Sequence, residues 1–273
     1  FKGSRKLLKK FNLKENSAVL AGPEQRELFS YLAQPGRPEM FYTPGGTVLN
    51  VLRGAQKFMR PGSTIFVGSV GSDKASQFLR VACERDDVKV EFQIDKEMCT
   101  AKSAVVITKA NRTMCTDLSS AVLYSPTQLQ DPKIWSYVEQ CKVFYTDAFF
   151  LKCGIESIRI LLDHIEKEKK DLAFNLSAVF VMDTIFDLVM EVLSHASIVF
   201  GNADEARAFA KASGWSETED IAEISRLIGK IPKPGCENFA GRIVVITNGP
   251  GPTSIYEPKN ENILEAAVVK VKD

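Results

Sequence analysis

The chain has 273 residues with 45% hydrophobic content, enough to bury a substantial core. Its 35 basic and 34 acidic residues leave a net charge of +1, so no overall field recruits nucleic acid or an anionic membrane. No apolar run reaches the ~18 residues needed to span a bilayer. The six cysteines (Cys83, Cys99, Cys115, Cys141, Cys153, Cys236) form no CxxC and have no His at ligand spacing, so reduced, mostly packed thiols in the cytoplasm are expected. The start at Phe1 instead of Met leads us to expect that Phe1 is not the natural first residue.

At the beginning of the chain, Lys2, Arg5, Lys6, Lys9 and Lys10 surround Leu7, Leu8 and Phe11, the pattern of a short amphipathic helix with a solvated charged face. Residues 17–20 and 41–43 read as short β-segments. Pro44-Gly45-Gly46-Thr47-Val48-Leu49-Asn50 then leads into a helical stretch at 51–58. Two glycines before a helix start let a ligand approach the backbone, and the free amides favour polar oxygens. Asn50 can both donate to and accept from sugar hydroxyls. The plainer reading is a Gly-rich turn with Thr47 as the helix cap, and both stay open on the sequence.

Strand-like residues 64–67 run into Gly68-x-x-Gly71-x-Asp73 and a helix over 73–85. Residues 88–94, 103–108 and 112–118 look like antiparallel β-segments joined by turns such as Ala110-Asn111, and 101–108 and 114–118 alternate as half-buried strands do. With residues 17–20 and 41–43 they predict a small lid sheet. Further along, strand and helix alternate. Strand 143–145 precedes helix 155–169, strand 172–175 precedes helix 184–194, and strand 198–200 precedes helix 204–213. The expected fold is therefore α/β, a doubly wound, mainly parallel sheet flanked by helices, with a small β-rich lid. A single domain over 1–273 is expected, its discontinuous lid formed by about 14–44 and 88–120.

The strands of this second region end in small or polar residues: Thr146-Asp147 after 143–145, Asn175-Leu176-Ser177 after 172–174, Asn202 after 197–201, and Thr247-Asn248-Gly249 after 243–246. In an open α/β sheet, ligands sit outside the carboxyl ends of the strands. Asn202 and Glu205, on a strand-to-helix turn, suit a hydrated Mg²⁺ that bridges nucleotide phosphates. They also suit a capping box, with Asn202 at N-cap and Glu205 at N3. Thr247-x-Gly249 adds a hydroxyl and a close-approach backbone for phosphate oxygens, or forms an ordinary strand-end turn beside Pro250-Gly251-Pro252.

Taken together, these residues resemble the ribokinase-like superfamily of sugar and nucleoside kinases, and within it the adenosine kinase family, from about Leu8 onwards. The resemblance rests on Gly45-Gly46-Thr47-x-x-Asn50, Gly68-x-x-Gly71-x-Asp73, Asn111-Arg112 and Phe149-Phe150. It rests further on Asn175-Leu176-Ser177-Ala178, Phe200-Gly201-Asn202-x-x-Glu205-Ala206 and Ile246-Thr247-x-Gly249. It implies Mg-ATP-dependent phosphorylation of the adenosine 5′-hydroxyl. By the resemblance, Gly46, Thr47 and Asn50 would hold the ribose. Phe149 would stack the purine, with Leu20, Met114, Thr116 and Leu118 covering it and Phe180 among the substrate contacts. Arg112 would reach the migrating phosphoryl group. Asn175, Asn202 and Glu205 would organise phosphates and Mg²⁺, Asn202 and Glu205 through water, and Thr247 and Gly249 would border ATP. Expected partners are a nucleoside and ATP, with no nucleic acid and no membrane, for a monomer in the cytoplasm and, as an option, the nucleus.

The departures carry expectations of their own. The superfamily's base is the Asp of a Gly-Ala-Gly-Asp motif, which these residues lack, so no catalytic base is assigned in this chain and one is expected beyond Asp273. The first-strand acid is likewise expected ahead of Phe1, and the chain as given is expected to turn over little or not at all. Val179 replaces a Pro and Thr47 a Ser. Two alternatives stand beside this reading: a ribokinase-like kinase for another nucleoside or a hexose, and a non-catalytic nucleoside-binding protein. A dinucleotide-binding oxidoreductase is disfavoured, because no Gly-x-Gly-x-x-Gly follows a first strand.

Overall fold

Short β-branched runs separated by amphipathic helices fold into strands and helices whose sequence order decides how they pair. The computed structural model describes residues 1–35, 40–109, 111–215 and 217–269. The chain forms two compact units, Phe1–Tyr124 and a second that begins at Ser125.

In the first unit the strands are β1 (Ala18–Leu20), β2 (Ile65–Gly71), β3 (Lys89–Asp95), β4 (Lys102–Thr108) and β5 (Asn111–Asp117). A three-stranded sheet has the order β1-β5-β4, with β1 parallel and β4 antiparallel to β5. One face packs Ala104, Val106 and Cys115 onto Leu8, Phe11, Leu28 and Leu32. The basic segment forms the helix Arg5–Lys10, with Leu8 buried and the lysines exposed.

Two lid expectations need correction. Residues 88–94 do not join an antiparallel lid: β3 pairs in parallel with β2 across the helix Lys74–Arg85. A helix between two strands makes a crossover connection, which sets them parallel. Residues 41–43 form no strand and run as irregular chain into Pro44-Gly45-Gly46 and the following helix. Residues 36–39 of the expected lid, and Ala110 of its turn, lie outside the described residues.

The end of β2 is built around Asp73. Its carboxylate accepts from Ser76 N (3.0 Å), capping the helix Lys74–Arg85, and from Thr100 N (2.9 Å) and Thr100 Oγ1 (2.6 Å). Burial pushes that carboxyl up, but the Thr100 and Ser76 donors outweigh it and hold it below its ordinary value. Thr100 Oγ1 in turn accepts from Gly71 N (3.0 Å). A Cβ at Gly71 would lie 2.4 Å from the Met98 carbonyl oxygen and 2.6 Å from Thr100 N. The Gly71-x-Asp73 spacing is thus a packing device that draws residues 98–100 onto the strand end.

In the second unit the strands are β6 (Val143–Asp147), β7 (Asp171–Asn175), β8 (Ile198–Asn202), β9 (Ile243–Asn248), β10 (Gly251–Glu257) and β11 (Asn262–Ala266). They form one sheet in sequence order, parallel from β6 to β9 and antiparallel from β9 to β11. Leu172, Ala173 and Phe174 are all buried, although successive side chains point to opposite faces, so both faces of β7 are covered. The helix after β6 runs Ala148–Lys167 and starts seven residues before the expected 155, because Asp147 caps it by accepting from Phe150 N (3.2 Å). The helix expected over 184–194 is two, Val179–Thr184 and Phe186–His195, parted at Ile185. No helix among the described residues is long and apolar enough to cross a membrane.

Gly71→Ala should lower the stability of the first unit by about 1–3 kcal/mol, the usual cost of overpacking against rigid neighbours. Urea unfolding followed by far-UV circular dichroism checks this. An unchanged midpoint would show that residues 98–100 yield without cost.

Candidate active site

The first unit supplies two groups of candidate residues. Gly46 is the N-cap of the helix Thr47–Gln56, with φ +111°, a left-handed backbone that glycine tolerates at no steric cost. Thr47 is therefore the first helical residue and not the cap. No side chain caps this helix, Asn50 N bonds Gly46 O (2.9 Å), and Thr47 and Asn50 are exposed one turn apart on a shared face.

The second group lies on the open face of the β1-β5-β4 sheet. Leu20 pairs with Thr116, and Ala18 with Met114, while Arg112 is two residues further along β5. Paired and alternate positions share a face, so the sheet brings Leu20, Arg112, Met114 and Thr116 together, opposite buried Thr113 and Cys115. Thr116 Oγ1 lies 2.9 Å from Ser103 Oγ. Leu118 falls just past the strand, ahead of the 3-10 turn Ser119–Leu123.

In the second unit, strand register aligns the candidates. Asp147 pairs with Asn175, Asn175 with Phe200, and Asn202 with Thr247. β6, β7 and β8 thus finish at one edge in Asp147, Asn175 and Asn202, with Thr247 beside Asn202 one residue before the end of β9. At Asn202 the structure builds a complete capping box. Glu205 N donates to Asn202 Oδ1 (2.9 Å), Asn202 N to Glu205 Oε2 (3.0 Å), and Asn202 Nδ2 to Glu205 Oε1 (2.7 Å). Glu205 is buried while Asn202 is exposed. Burial pushes the Glu205 carboxyl above its ordinary value, against the Asn202 donors.

Asn175 Nδ2 donates to the Tyr145 hydroxyl (3.2 Å), and its Oδ1 accepts from Ser177 N (2.8 Å). Burial raises the Tyr145 phenol, Asn175 opposes this, and the charges of Asp147 and Glu205 add to the rise. Phe149 and Phe180, both partly exposed, face each other with ring centroids 6.1 Å apart. Thr247 Oγ1 donates to Gly201 O (3.4 Å), and Gly249 takes φ +53° in the turn to β10.

Sequence reasoning passed over Tyr145 and Ser177. The signal was available: Tyr145 lies two residues before the end of β6, on the same face as Asp147, and Ser177 follows Asn175 at an Asx-type interval. The Asp147 carboxylate, noted on sequence as an acid at this edge, is engaged in capping.

The chain matches the pfkB family carbohydrate kinase profile over residues 30–273. It is 32% identical to adenosine kinase 2 of Arabidopsis thaliana over 251 residues, which covers 92% of this chain and 71% of the relative. It is also 32% identical to the adenosine kinase of Schizosaccharomyces pombe, covering 93% and 72%. Among solved structures, the adenosine kinase of Anopheles gambiae in complex with P1,P4-di(adenosine-5) tetraphosphate superposes with a TM-score of 0.91 at 30% identity, over 98% of this chain and 79% of that one. The enzyme from Schistosoma mansoni in complex with adenosine gives 0.91 at 29% identity, over 100% and 78%. The chain belongs to the pfkB family of carbohydrate kinases, and within that family it aligns with the adenosine kinases.

The raised Glu205 carboxyl sets a pH dependence. A folded-state value above the unfolded one of about 4.5 gives stability that is full below 4.5 and is lost as pH rises through the folded value. Glu205→Gln cannot ionise, so its stability relative to the parent should improve as pH rises from 4.5 to 7.5. Thermal melts of both proteins at the two pH values check this; a fixed difference would show that burial does not perturb the carboxyl.

Proposed function

We propose that this chain acts as an adenosine kinase, passing the γ-phosphoryl group of ATP to the adenosine 5′-hydroxyl to give AMP, a purine-salvage reaction. The observation that carries the reading is the register that brings Asp147, Asn175, Asn202 and Thr247 to the carboxyl ends of β6, β7, β8 and β9 at one edge, the place where open α/β sheets bind ligands. Family membership and the adenosine-bearing relatives support it.

Each candidate residue takes a role that its surroundings suit. Gly46 leaves its helix start without a side-chain cap, so the free amides there, with Thr47 and Asn50, can meet ribose hydroxyls. Phe149, with Phe180 beside it, offers an aromatic face to the purine, and Leu20, Met114, Thr116 and Leu118 offer contact to a flat base. Arg112 is exposed, and its guanidinium suits phosphate oxygens. Asn175, Thr247 and Gly249 border the triphosphate. A hexose fits this set less well, because the apolar groups would leave its hydroxyls unpaired.

Mg²⁺ suits the Asn202–Glu205 pair only through water. Among the described residues no three acidic, His or Cys side chains form a cage. Each Glu205 oxygen accepts one hydrogen bond and keeps another lone pair for a hydrating water. When bound with ATP, the ion would neutralise charge on the phosphates. The residues themselves contribute positioning and electrostatic stabilisation, on which phosphoryl transfer depends almost entirely.

Two measurements bear on this reading. Phe149→Ala should weaken adenosine binding by about 1–3 kcal/mol, the worth of an aromatic–base stack; calorimetry showing unchanged affinity would point to another substrate class. Glu205→Gln should raise the Mg²⁺ concentration needed to saturate ATP binding several-fold, while adenosine affinity stays at the parent value. Superimposable Mg²⁺ titrations would leave Glu205 as a helix cap alone.

A further inference from the structure

The backbone around Phe149 is pinned on both sides by side chains. Asp147 accepts from Phe150 N (3.2 Å), and Ser177 Oγ accepts from the fully buried Ala148 N (3.0 Å). Ser177 reaches that amide from β7's end with φ +72°, a left-handed conformation a non-glycine residue adopts at some cost. It is held there because its own N donates to Asn175 Oδ1 (2.8 Å) and its hydroxyl donates to Asn175 O (3.1 Å). Asn175 is oriented in turn by Tyr145, whose hydroxyl accepts from Asn175 Nδ2 (3.2 Å). Since Oδ1 meets a donor and Nδ2 meets an acceptor, the amide has only one favourable orientation.

We infer that Ser177 and Tyr145 are positioning residues: Ser177 straps the purine-contacting Phe149 to the phosphate-side Asn175, and Tyr145 sets which way the Asn175 amide faces. This rests on the proposed roles of Phe149 and Asn175. A hydroxyl with one proton suits the strap, because it donates to Asn175 O while accepting from Ala148 N. Ala in its place would keep the strained backbone and leave a buried N–H unpaired. Gly would leave the same N–H unpaired, but it would relieve the left-handed backbone and so offset part of that cost.

The test uses Ser177→Gly, Tyr145→Phe, Phe149→Ala and the double variant Ser177→Gly/Phe149→Ala, with adenosine and Mg-ATP affinities measured separately by calorimetry. Ser177→Gly should melt close to the parent yet raise the Kd for adenosine about three- to tenfold, the range of one lost hydrogen bond. The double variant should lose little beyond Phe149→Ala, because the strap acts through that ring. Tyr145→Phe should raise the Kd for Mg-ATP about threefold and leave the adenosine Kd alone, a split that general destabilisation would not give. If Phe149→Ala loses adenosine affinity while Ser177→Gly binds like the parent, or if the two losses simply multiply in the double variant, the strap is refuted and the purine reading survives. Equal effects of Tyr145→Phe on both ligands, or none on Mg-ATP, would refute the orienting role. A Phe149→Ala variant that keeps full adenosine affinity would overturn the functional reading together with the strap.

Discussion

The in-register pairing of four parallel strands is the constraint on which the second unit depends. Each strand is followed by a helix or a tight turn, so each polar residue at its carboxyl end caps or opens the next element while facing the same edge. Asp147 and Asn202 show this directly: both end a strand, and both satisfy amides at a helix start. A one-residue slip of β8 against β9 would move Asn202 out of line with Thr247 and turn Val199 away from the core. The buried faces therefore enforce the register, and the register places the polar ends.

In the proposed reading, folding and ligand chemistry do not conflict at Glu205, because they would use different lone pairs of the same oxygens. Glu205 spends one lone pair on each oxygen in the capping box, and its burial against the Asn202 donors leaves a carboxylate that is costly to ionise and rigidly placed. Cap and metal organiser are therefore compatible roles, which is why the sequence alone could not choose between them. In the first unit, Asp73 marks the other limit. Its carboxylate is consumed by Ser76 and Thr100, and the Gly71-x-Asp73 spacing is explained by packing.

Much of the fold was legible. The alternation of β-branched runs with amphipathic helices gave the parallel sheet, because period 2 and period 3.6 patterns bury different faces. The alternation along β5 likewise exposed Arg112, Met114 and Thr116 on one side. Residues 88–94 were misread because a strand's own pattern does not encode its neighbour; the intervening helix Lys74–Arg85 made the pairing with β2 parallel. The early start of the helix Ala148–Lys167 was missed because aromatic Phe149 and Phe150 have modest helix propensity, and Asp147's capping overrides it.

The sequence by itself determined the alternation of strand and helix from residue 143 to 213, the polar residues at the strand ends and the family to which the chain belongs, since these follow from local pattern and motif spacing. Tertiary structure alone decided that Leu20 lies beside Thr116, that Thr100 ties down Asp73, and that Ser177 reaches Ala148 N across 29 residues of chain. Those contacts join segments remote in sequence, and only burial and strand register fix which distant donor meets which acceptor.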